Sequence, residues 1–372
     1  MIKVKSKKVY VGMSGGVDSS VSAALLVDAG YDVTGVYMKN WTKDLPGNKC
    51  PWADDLADAK RVAVQLGIPL KVYDFQKEYK QQVVDYMLKE YQSGRTPNPD
   101  IMCNEEIKFK LFLDCALNDG ADFIATGHYA RVKDSKLLKA KDSNKDQTYF
   151  LYRVSKAALK KTIFPVGDML KSRVKKEAKK RGLVTATRKE SMGICFVGAV
   201  GIRDFLNQYI NVEFGNIIDR QTGKIVGRHD GAIFYTLGQR HGLNVGGGLP
   251  YYVVGKNMRR NIVYVSRDLN DAEFWRDKFE ITDMFWREMP KVHSVYQVRL
   301  RHRAMLSDAE IEGNIVKLKS PERAITPGQS AVFYDGEICI GGGIVVNQFS
   351  TRNVAKAKSL CYNGEAREKD KH

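Results

Sequence analysis

The chain has 372 residues, 43% of them hydrophobic, which is enough for two or three domains with their own cores. No apolar run approaches the roughly 18 residues of a membrane span, and the charged segment 1–8 lacks the apolar core of a secretory signal. Lys and Arg outnumber Asp and Glu by 60 to 43, and the resulting net charge of +17 favours a polyanionic partner such as a nucleic acid.

The first predicted element is a strand followed by a glycine-rich turn and a helix. Residues 9–11 are apolar, residues 13–20 hold two glycines and three serines, and helical spacing begins at residue 21. Such a turn is either a tight, capped connection or a phosphate cradle, in which glycines let backbone N–H groups approach an anion. The string Ser-Gly-Gly-Val-Asp-Ser favours the cradle, because it resembles the PP-loop of enzymes that cleave ATP to AMP and pyrophosphate. We therefore predict an ATP site, with Asp18 holding a magnesium ion, at Gly12, Met13, Ser14, Gly15, Gly16, Val17, Asp18 and Ser19.

Further strands are predicted at residues 33–38, 70–75 and 122–129. Strands that alternate with helices at this spacing indicate an α/β fold with a doubly wound parallel sheet. Ligands bind in such sheets beyond the carboxyl ends of the strands. Met38 and Gly127 stand at such ends, so we predict that they pack against adenine and ribose; a place in the plain core is the alternative for Met38.

A loop with two prolines separates the third strand from the fourth. The composition of residues 93–104 excludes a regular element there, and helical spacing resumes at 105–115. Cys103 is therefore predicted at a helix N-terminus, where the positive potential lowers the pKa of a thiol. Asp100 on the same loop is a candidate general base. The alternative is a rigid turn with a buried cysteine, and spacing alone does not say whether Cys103 meets the distant Cys195.

The predicted secondary structure changes twice in the C-terminal half of the chain. The basic helix at residues 168–183 is either a solvated face or a phosphate track. A small α+β region follows from residue 202, and alternating strands from residue 274 predict a β-barrel, with single strands at 295–300 and 308–318 among them. An alternating row of arginines is predicted to lie on one strand face toward a phosphate backbone, buried salt-bridged arginines being the alternative: Arg299, Arg301 and Arg303.

These changes divide the chain into a catalytic domain (1–201), a small central domain (202–273), a barrel (274–364) and a charged, disordered tail (365–372). The six cysteines are scattered and form no Cys-x-x-Cys pair, so no zinc ribbon or other structural metal site is predicted. Scattered thiols are typical of a cytoplasmic protein, in which a disulfide is more often catalytic than structural.

Several motifs together closely resemble one family, the bacterial tRNA-specific 2-thiouridylases. The PP-loop alone would be shared with several ATP-using ligases, whereas two cysteines in these two contexts are far more specific. The resemblance covers essentially the whole chain apart from the tail. It rests on residues 14–19, 96–100, 103–104, 126–129, 145–147, 193–196, 238–240 and 328–332.

The resemblance implies that ATP adenylates the 2-carbonyl oxygen of the wobble uridine of tRNA, and that sulfur transfer then yields 2-thiouridine and AMP. Cys195 would carry a persulfide sulfur from a cysteine desulfurase or a sulfur-relay protein. Cys103 would be the nucleophilic partner that ends in a disulfide with Cys195, and Asp100 the acid–base group. The residues implied to touch tRNA are Asn98, Pro99, Asp100, His128, Lys145, Asp146, Gln147, Arg301, His302 and Gln329.

Three residues depart from the family pattern without removing a reacting group. Glu190 and Met192 stand where Asp and a small residue are usual, and His302 stands where Tyr is usual. The histidine is expected to weaken a stacking contact with a nucleotide.

Three alternatives stay open. Another PP-loop ligase, acting on tRNA or on a small molecule, would not need the two cysteines. A non-catalytic RNA-binding protein would bind tRNA without consuming ATP. An iron–sulfur cluster held by Cys103, Cys195 and a carboxylate such as Asp100 would use sulfide in place of a persulfide.

Overall fold

The computed structural model describes residues 6–44, 50–189, 201–268, 270 and 274–349. The predictions for Cys195, Glu190, Met192 and the tail fall outside these residues. Within the described ranges, no helix is both long enough and apolar enough to cross a membrane.

Residues 6–189 form an N-terminal α/β unit in which strands and helices alternate as predicted. Two π-helical segments, Lys80–Val84 and Cys103–Leu111, join neighbouring α-helices into continuous ones. The strands are β1 (Lys8–Gly12), β2 (Asp32–Lys39), β3 (Leu70–Asp74), β4 (Phe123–Ala125), β5 (Arg131–Lys133), β6 (Lys136–Leu138) and β7 (Thr162–Ile163). The helices are α1 (Val17–Asp28), α2 (Trp52–Leu66), α3 (Gln76–Tyr79), α4 (Asp85–Gln92), α5 (Pro99–Met102), α6 (Phe112–Asn118), α7 (Thr148–Leu151), α8 (Lys156–Lys160) and α9 (Lys171–Lys180).

The sheet of this unit is parallel, with strand order β3-β2-β1-β4-β7, which confirms the predicted fold class. Val9 and Val11 of the central strand are fully buried, as expected for a parallel sheet covered on both faces. The glycine-rich turn follows β1, Met38 lies near the end of β2, and Thr126 follows β4. All three therefore meet at one edge of the sheet, beyond the carboxyl ends of the strands.

Two β structures follow. Residues 201–268 contain α10 (Ile202–Asn207) and a four-stranded central sheet in the order β10-β11-β8-β9. Its strands are β8 (Gly215–Asp219), β9 (Ile225–His229), β10 (Tyr252–Asn257) and β11 (Ile262–Ser266). The strands from residue 275 onward are β12 (Trp275–Trp286), β13 (Val295–Arg299), β14 (Ser307–Glu312), β15 (Ile315–Arg323), β16 (Ser330–Asp335) and β17 (Ile338–Phe349).

The last six strands close into the predicted barrel, because β12 pairs with β17 as well as with β15. The barrel is continuous with the N-terminal unit: the hairpin β5–β6 adds to its edge, with Leu138 opposite Ile338. The barrel and the N-terminal unit also share a hydrophobic core, since Val332 and Tyr334 of β16 belong to the same buried cluster as Tyr149. The Tyr149 hydroxyl also donates to the Ser330 carbonyl at 3.0 Å. The barrel therefore packs directly on the unit that carries the glycine-rich turn.

The prediction of one strand over residues 308–318 is wrong. The chain reverses there in a two-residue hairpin, with Glu312 opposite Ile315. Gly313 adopts φ of 61°, which glycine enters without steric cost. Apolar residues recur on both sides of the turn, but the Gly-Asn pair between them is itself a hairpin signal, which the prediction of one strand overlooks.

The prediction of one arginine face is also wrong. β13 ends at Arg299, and Arg303 has a left-handed φ of 63°, so the alternation of an extended strand does not reach it. Arg299 is buried and its Nη1 lies 2.8 Å from Oδ2 of Asp146, whereas Arg301 and Arg303 are exposed. The buried, salt-bridged alternative therefore holds for Arg299.

Asp146→Ala is expected to lower the free energy of unfolding by about 3–5 kcal/mol, because it leaves the buried Arg299 charge without its partner. The Asp146 carboxylate also accepts from the Ala140 N–H at 3.0 Å. Urea unfolding measures the loss. Glu312→Ala is the control, since its exposed ion pair with Lys317 contributes little. Equal midpoints for the two variants would contradict a structural role for the Asp146 pair.

Candidate active site

The turn between β1 and α1 presents backbone N–H groups at the carboxyl edge of the sheet. Gly16 is the N-cap of α1, and among the described residues no side chain caps this helix. First-turn N–H groups have no intrahelical partner and attract anions. Gly15 has φ of 71°, and a Cβ there would lie 2.5 Å from the Asp55 carbonyl oxygen. Glycine is therefore required at this position, and the turn has the geometry of a phosphate cradle.

The serine hydroxyls hold the turn in shape. The Ser14 N–H donates to Oγ of Ser19 at 3.2 Å, and the Ser19 hydroxyl donates to the Gly16 carbonyl at 3.1 Å. The Ser20 hydroxyl donates to the same carbonyl at 2.8 Å, and Ser20 is fully buried. The buried Ser20 side chain thus stabilises the loop through its hydrogen bond to the Gly16 carbonyl.

Asp18 lies in the first turn of α1 between two partners from distant segments. Lys171 Nζ lies 2.6 and 2.7 Å from its two carboxylate oxygens, and the Tyr129 hydroxyl donates to Oδ1 at 2.9 Å. Lys171 is only 7% exposed, so its ammonium group is held inside the site. The site therefore holds a carboxylate paired with a buried ammonium group beside the helix N-terminus.

The segment after β4 packs directly on this helix. A Cβ at Gly127 would lie 2.7 Å from the Ser19 backbone nitrogen, so only glycine allows the contact. His128 follows, with Nδ1 2.8 Å from the Thr126 hydroxyl and its ring centroid 5.7 Å from that of Phe109. Burial lowers the pKa of His128 well below its usual value, so the ring is neutral. His128 is enclosed by protein here, and its contact with tRNA stays a prediction.

Met38 and Gly12, two predicted nucleotide contacts, lie together. A Cβ on Gly12 would be 3.0 Å from Cε of Met38, so the glycine makes room for the methionine side chain. Met38 itself is partly buried. The contact of Met38 with adenine stays a prediction.

The prediction that Cys103 stands at a helix N-terminus is wrong. The helix begins at Pro99, with Asn98 as N-cap, because proline suits the first helical position. Cys103 follows the first turn, with helical φ and ψ of −59° and −42°, and it begins the π-helical segment. The helix dipole acts mainly within the first turn, so Asp100 is nearer to its positive end than Cys103 is.

Asp100 and Cys103 lie three residues apart on this helix and share one face. Burial raises the pKa of the Asp100 carboxyl, and the nearby Lys108 ammonium opposes that shift. A carboxyl of raised pKa holds its proton more readily, which suits a group that both donates and accepts protons. Cys103 is buried in the core cluster.

Side-chain interactions link the helix of Asp100 and Cys103 to the segment that follows β4. They involve Phe109 and Lys108 on the helix and His128 after the strand. The positive charge of Lys108 acts on both the Asp100 carboxyl and the His128 ring. Phe109 packs on that ring from the same helix as Cys103, and the neighbouring Gly127 lies against α1. The glycine-rich turn's helix and the cysteine-bearing helix therefore contact the same segment, residues 127–128.

The remaining candidates for tRNA contact lie mainly around the junction with the barrel. Gln147 accepts from the Tyr129 N–H at 2.9 Å, and Asp146 is buried in its ion pair. The exposed Arg301 donates to the Arg323 carbonyl at 3.0 Å, and Gln329 donates to the Thr96 carbonyl at 2.8 Å. Contacts of these side chains with tRNA stay predictions.

His302 lies against aromatic rings. Its centroid is 4.4 Å from that of Phe150 and 6.3 Å from that of Tyr149. Burial, together with the charges of Arg303, Arg299 and Lys145, lowers the pKa of His302 to about 4. The imidazole is therefore neutral near pH 7 and presents an aromatic surface beside cationic side chains.

The second cysteine, Cys195, lies outside the described residues. Within the described ranges, no group of three or more His, Cys, Asp or Glu side chains could hold a metal ion. Cys50, Cys115 and Cys339 are free thiols.

The sequence interpretation missed Lys171, Tyr129 and Arg188. Lys171 belongs to the basic helix, where a charged residue gives no sign that one member turns inward. Arg188 forms ion pairs with Asp55 and Asp58 of α2, next to the turn that contains Gly15. These partners are far apart in sequence, so no local pattern could have identified them.

The parallel sheet, the phosphate cradle and the attached barrel define a PP-loop, ATP-using enzyme. Three family models match the chain along its length: the tRNA methyl transferase HUP domain at residues 7–199, the tRNA methyl transferase PRC-barrel domain at 203–267, and the aminomethyltransferase beta-barrel domain at 276–345.

The chain is also similar to curated relatives named tRNA-specific 2-thiouridylase MnmA. The Bacillus velezensis protein is 46% identical over 354 residues, covering 91% of this chain and 94% of the relative. A Geobacillus kaustophilus relative is 44% identical, covering 92% and 95%, and a Listeria monocytogenes relative is 45% identical, covering 91% and 94%. The chain belongs to the tRNA-specific 2-thiouridylase family.

Proposed function

We propose that this enzyme uses ATP to convert the 2-carbonyl of the wobble uridine of tRNA into a thiocarbonyl, with AMP and pyrophosphate as the other products. The observation that supports the proposal is that the α1 N-terminus and the helix with Asp100 and Cys103 both contact the segment after β4, at Gly127 and His128. The relatives' printed names give the thiolated product.

The first step is adenylation. The uridine 2-carbonyl oxygen attacks the α-phosphorus of ATP, and the bond to the pyrophosphate leaving group breaks. The α1 N–H groups and Lys171 stabilise the negative charge that develops on the phosphates. Asp18 is the residue that would hold a magnesium ion, which when bound supplies further positive charge to the leaving group. Adenylation turns a poor leaving group into AMP.

The second step transfers sulfur. The terminal sulfur of a Cys195 persulfide attacks C2, and AMP departs with the former carbonyl oxygen. The Cys103 thiolate then attacks the Cys195 sulfur, which releases 2-thiouridine and leaves a Cys103–Cys195 disulfide. An external two-electron thiol reductant reopens that disulfide. Asp100 exchanges the protons of these steps. The sulfur comes from a cysteine desulfurase or a sulfur-relay protein, in the reducing cytoplasm.

Binding of tRNA draws on exposed cations around the site. Helix α9 begins at Lys171 beside the phosphate cradle, and the outward cations along it are Arg173, Lys175, Lys176, Lys179 and Lys180. Arg301 and Arg303 are exposed on the barrel, near His302. Such cations contact phosphates, while the His302 ring offers a stacking surface for a base. Domain limits of 1–201, 202–273 and 274–364 belong to the same proposal.

A thiolation assay tests the proposed function. The enzyme, ATP, a sulfur donor and an unmodified tRNA transcript are incubated in air and under argon, and the digested RNA is searched for a thionucleoside. The proposal predicts 2-thiouridine under both conditions, lost in Cys195→Ala. Activity only under argon, with an iron chromophore, would indicate the cluster instead. ATP consumption without a thionucleoside would indicate another PP-loop ligase.

Affinity for tRNA is expected to show no contribution from His302 ionisation between pH 6 and pH 8. The pKa of His302 is about 4, so the ring stays neutral throughout this range and would gain charge only as the pH falls toward 4. Fluorescence anisotropy of labelled tRNA at both pH values checks this, with His302→Tyr as the non-titrating control. Tighter binding at pH 6 by the parent protein but not by His302→Tyr would contradict the expectation.

A further inference from the structure

Thr96 lies in the loop that leads into the helix of Asp100 and Cys103. Residues of the barrel form hydrogen bonds with both the N–H and the carbonyl of Thr96. The Thr96 N–H donates to the Pro327 carbonyl at 2.9 Å. The Gln329 side-chain amide donates to the Thr96 carbonyl at 2.8 Å. A turn of the barrel therefore fixes the start of the catalytic helix, although more than 200 residues separate them in sequence.

Gly328 makes this approach possible. Its φ is 92°, and a Cβ there would lie 2.7 Å from the Thr96 nitrogen and 2.9 Å from Cβ of Arg95. The barrel itself holds the turn that contains Gly328, because the Gly328 N–H donates to the Val345 carbonyl at 2.8 Å. Any movement of the barrel is thus transmitted to the loop through short, directional contacts.

Two loops of the central region, at Thr236 and Met258, also contact this loop. The Thr96 and Thr236 hydroxyl oxygens are 3.3 Å apart, in hydrogen-bond range. Gly94 has φ of 76°, and a Cβ there would lie 2.5 Å from Cγ of Met258. Residues 94–96 are therefore contacted by the barrel and by loops of residues 201–268.

We propose that Gln329 and Gly328 are positioning residues, which align the catalytic helix from the barrel rather than serving only as a tRNA-binding surface. The inference rests on the proposed function. Misplacement of reacting groups by about 1 Å can cost a factor of about 100 in rate. The loop lies directly before Asn98 and Asp100, so a shift at Thr96 moves the target-base contact and the acid–base group together. The two β structures are thus part of the catalytic geometry.

The test compares Gln329→Glu with a matched control. Gln329→Glu keeps the size of the side chain but sets an acceptor against the Thr96 carbonyl. Gln65→Glu makes the same change at a remote bond, where the amide donates to the Gly182 carbonyl at 3.0 Å. Gly328→Ala is a second variant that disturbs the same contact sterically. The measurements are amide hydrogen exchange at residues 93–98, tRNA affinity, and the single-turnover thiolation rate at saturating tRNA.

The proposal predicts faster exchange at residues 93–98 in Gln329→Glu and Gly328→Ala. It also predicts a single-turnover rate at least tenfold lower at saturating tRNA, with Gln65→Glu unchanged. Unaltered exchange, or weaker tRNA binding with a normal rate at saturation, would overturn it. If the parent protein forms no thionucleoside, the proposed function fails, and hydrogen exchange alone decides whether the barrel fixes the loop.

Discussion

Cys103→Ala is expected to lower the rate of thiolation by about 1,000-fold or more, because loss of a reacting nucleophile removes the step it performs. ATP and tRNA binding should persist, since the phosphate cradle and the cationic surfaces are untouched. Thionucleoside yield per minute, measured beside ATP and tRNA dissociation constants, checks both parts.

Cys115→Ala is the matched control for this prediction. Cys115 lies on α6, which continues the helix of Cys103, and burial raises the pKa of its thiol, which makes it a poorer nucleophile. It should leave thiolation unchanged. Cys103→Ser keeps the volume of the side chain and should be as inactive as the alanine variant. Thiolation by Cys103→Ala at more than a tenth of the parent rate would remove Cys103 from the mechanism.

Asp18→Asn is expected to reduce tRNA-dependent ATP consumption by about 100-fold, because it removes a charge that organises the phosphate site. The substitution also leaves the Lys171 ammonium group without its carboxylate partner inside the site. Pyrophosphate release in the presence of tRNA measures the effect, and tRNA affinity should stay within about twofold of the parent value.

Two further variants separate chemistry from folding. Asp28→Asn removes a carboxylate from the other end of α1, where it pairs with Arg181 on the surface, and should leave pyrophosphate release unchanged. The double variant Asp18→Asn with Lys171→Met restores charge balance, so its thermal midpoint should recover while its activity does not. Recovery of activity in the double variant would show that Asp18 serves only to neutralise Lys171.

The nucleotide-binding half of the site was predictable from sequence because its determinants are local. The glycine-rich turn, the strand before it and the helix after it occupy one continuous stretch, and the sheet edge follows from strand alternation. The fold class of the C-terminal strands, a β-barrel, was also predictable from sequence. The hairpin at Gly313 was missed because the Gly-Asn pair, which is a local hairpin signal, was treated as part of a continuous strand.

The features that sequence reasoning missed depend on partners distant in the chain. Arg299 resembled a member of an exposed row, yet the buried Asp146 carboxylate draws it inward. Lys171 resembled one more cation of a solvated helix, yet it faces Asp18. Cys103 was placed at a helix start because proline was treated as a loop residue, whereas Pro99 begins the helix. Contacts with residues distant in the chain explain the first two wrong predictions, and the position of proline at the helix start explains the third.

The central claim is that ATP activates the uridine 2-carbonyl oxygen, and an isotope measurement tests it most directly. An anticodon stem-loop carrying ¹⁸O at the 2-carbonyl of the wobble uridine is thiolated with ATP and a sulfur donor, and the AMP formed is analysed by mass spectrometry. The account predicts one ¹⁸O atom in AMP for each 2-thiouridine produced. AMP without the label would show that its oxygen comes from water, and would contradict adenylation of the uridine.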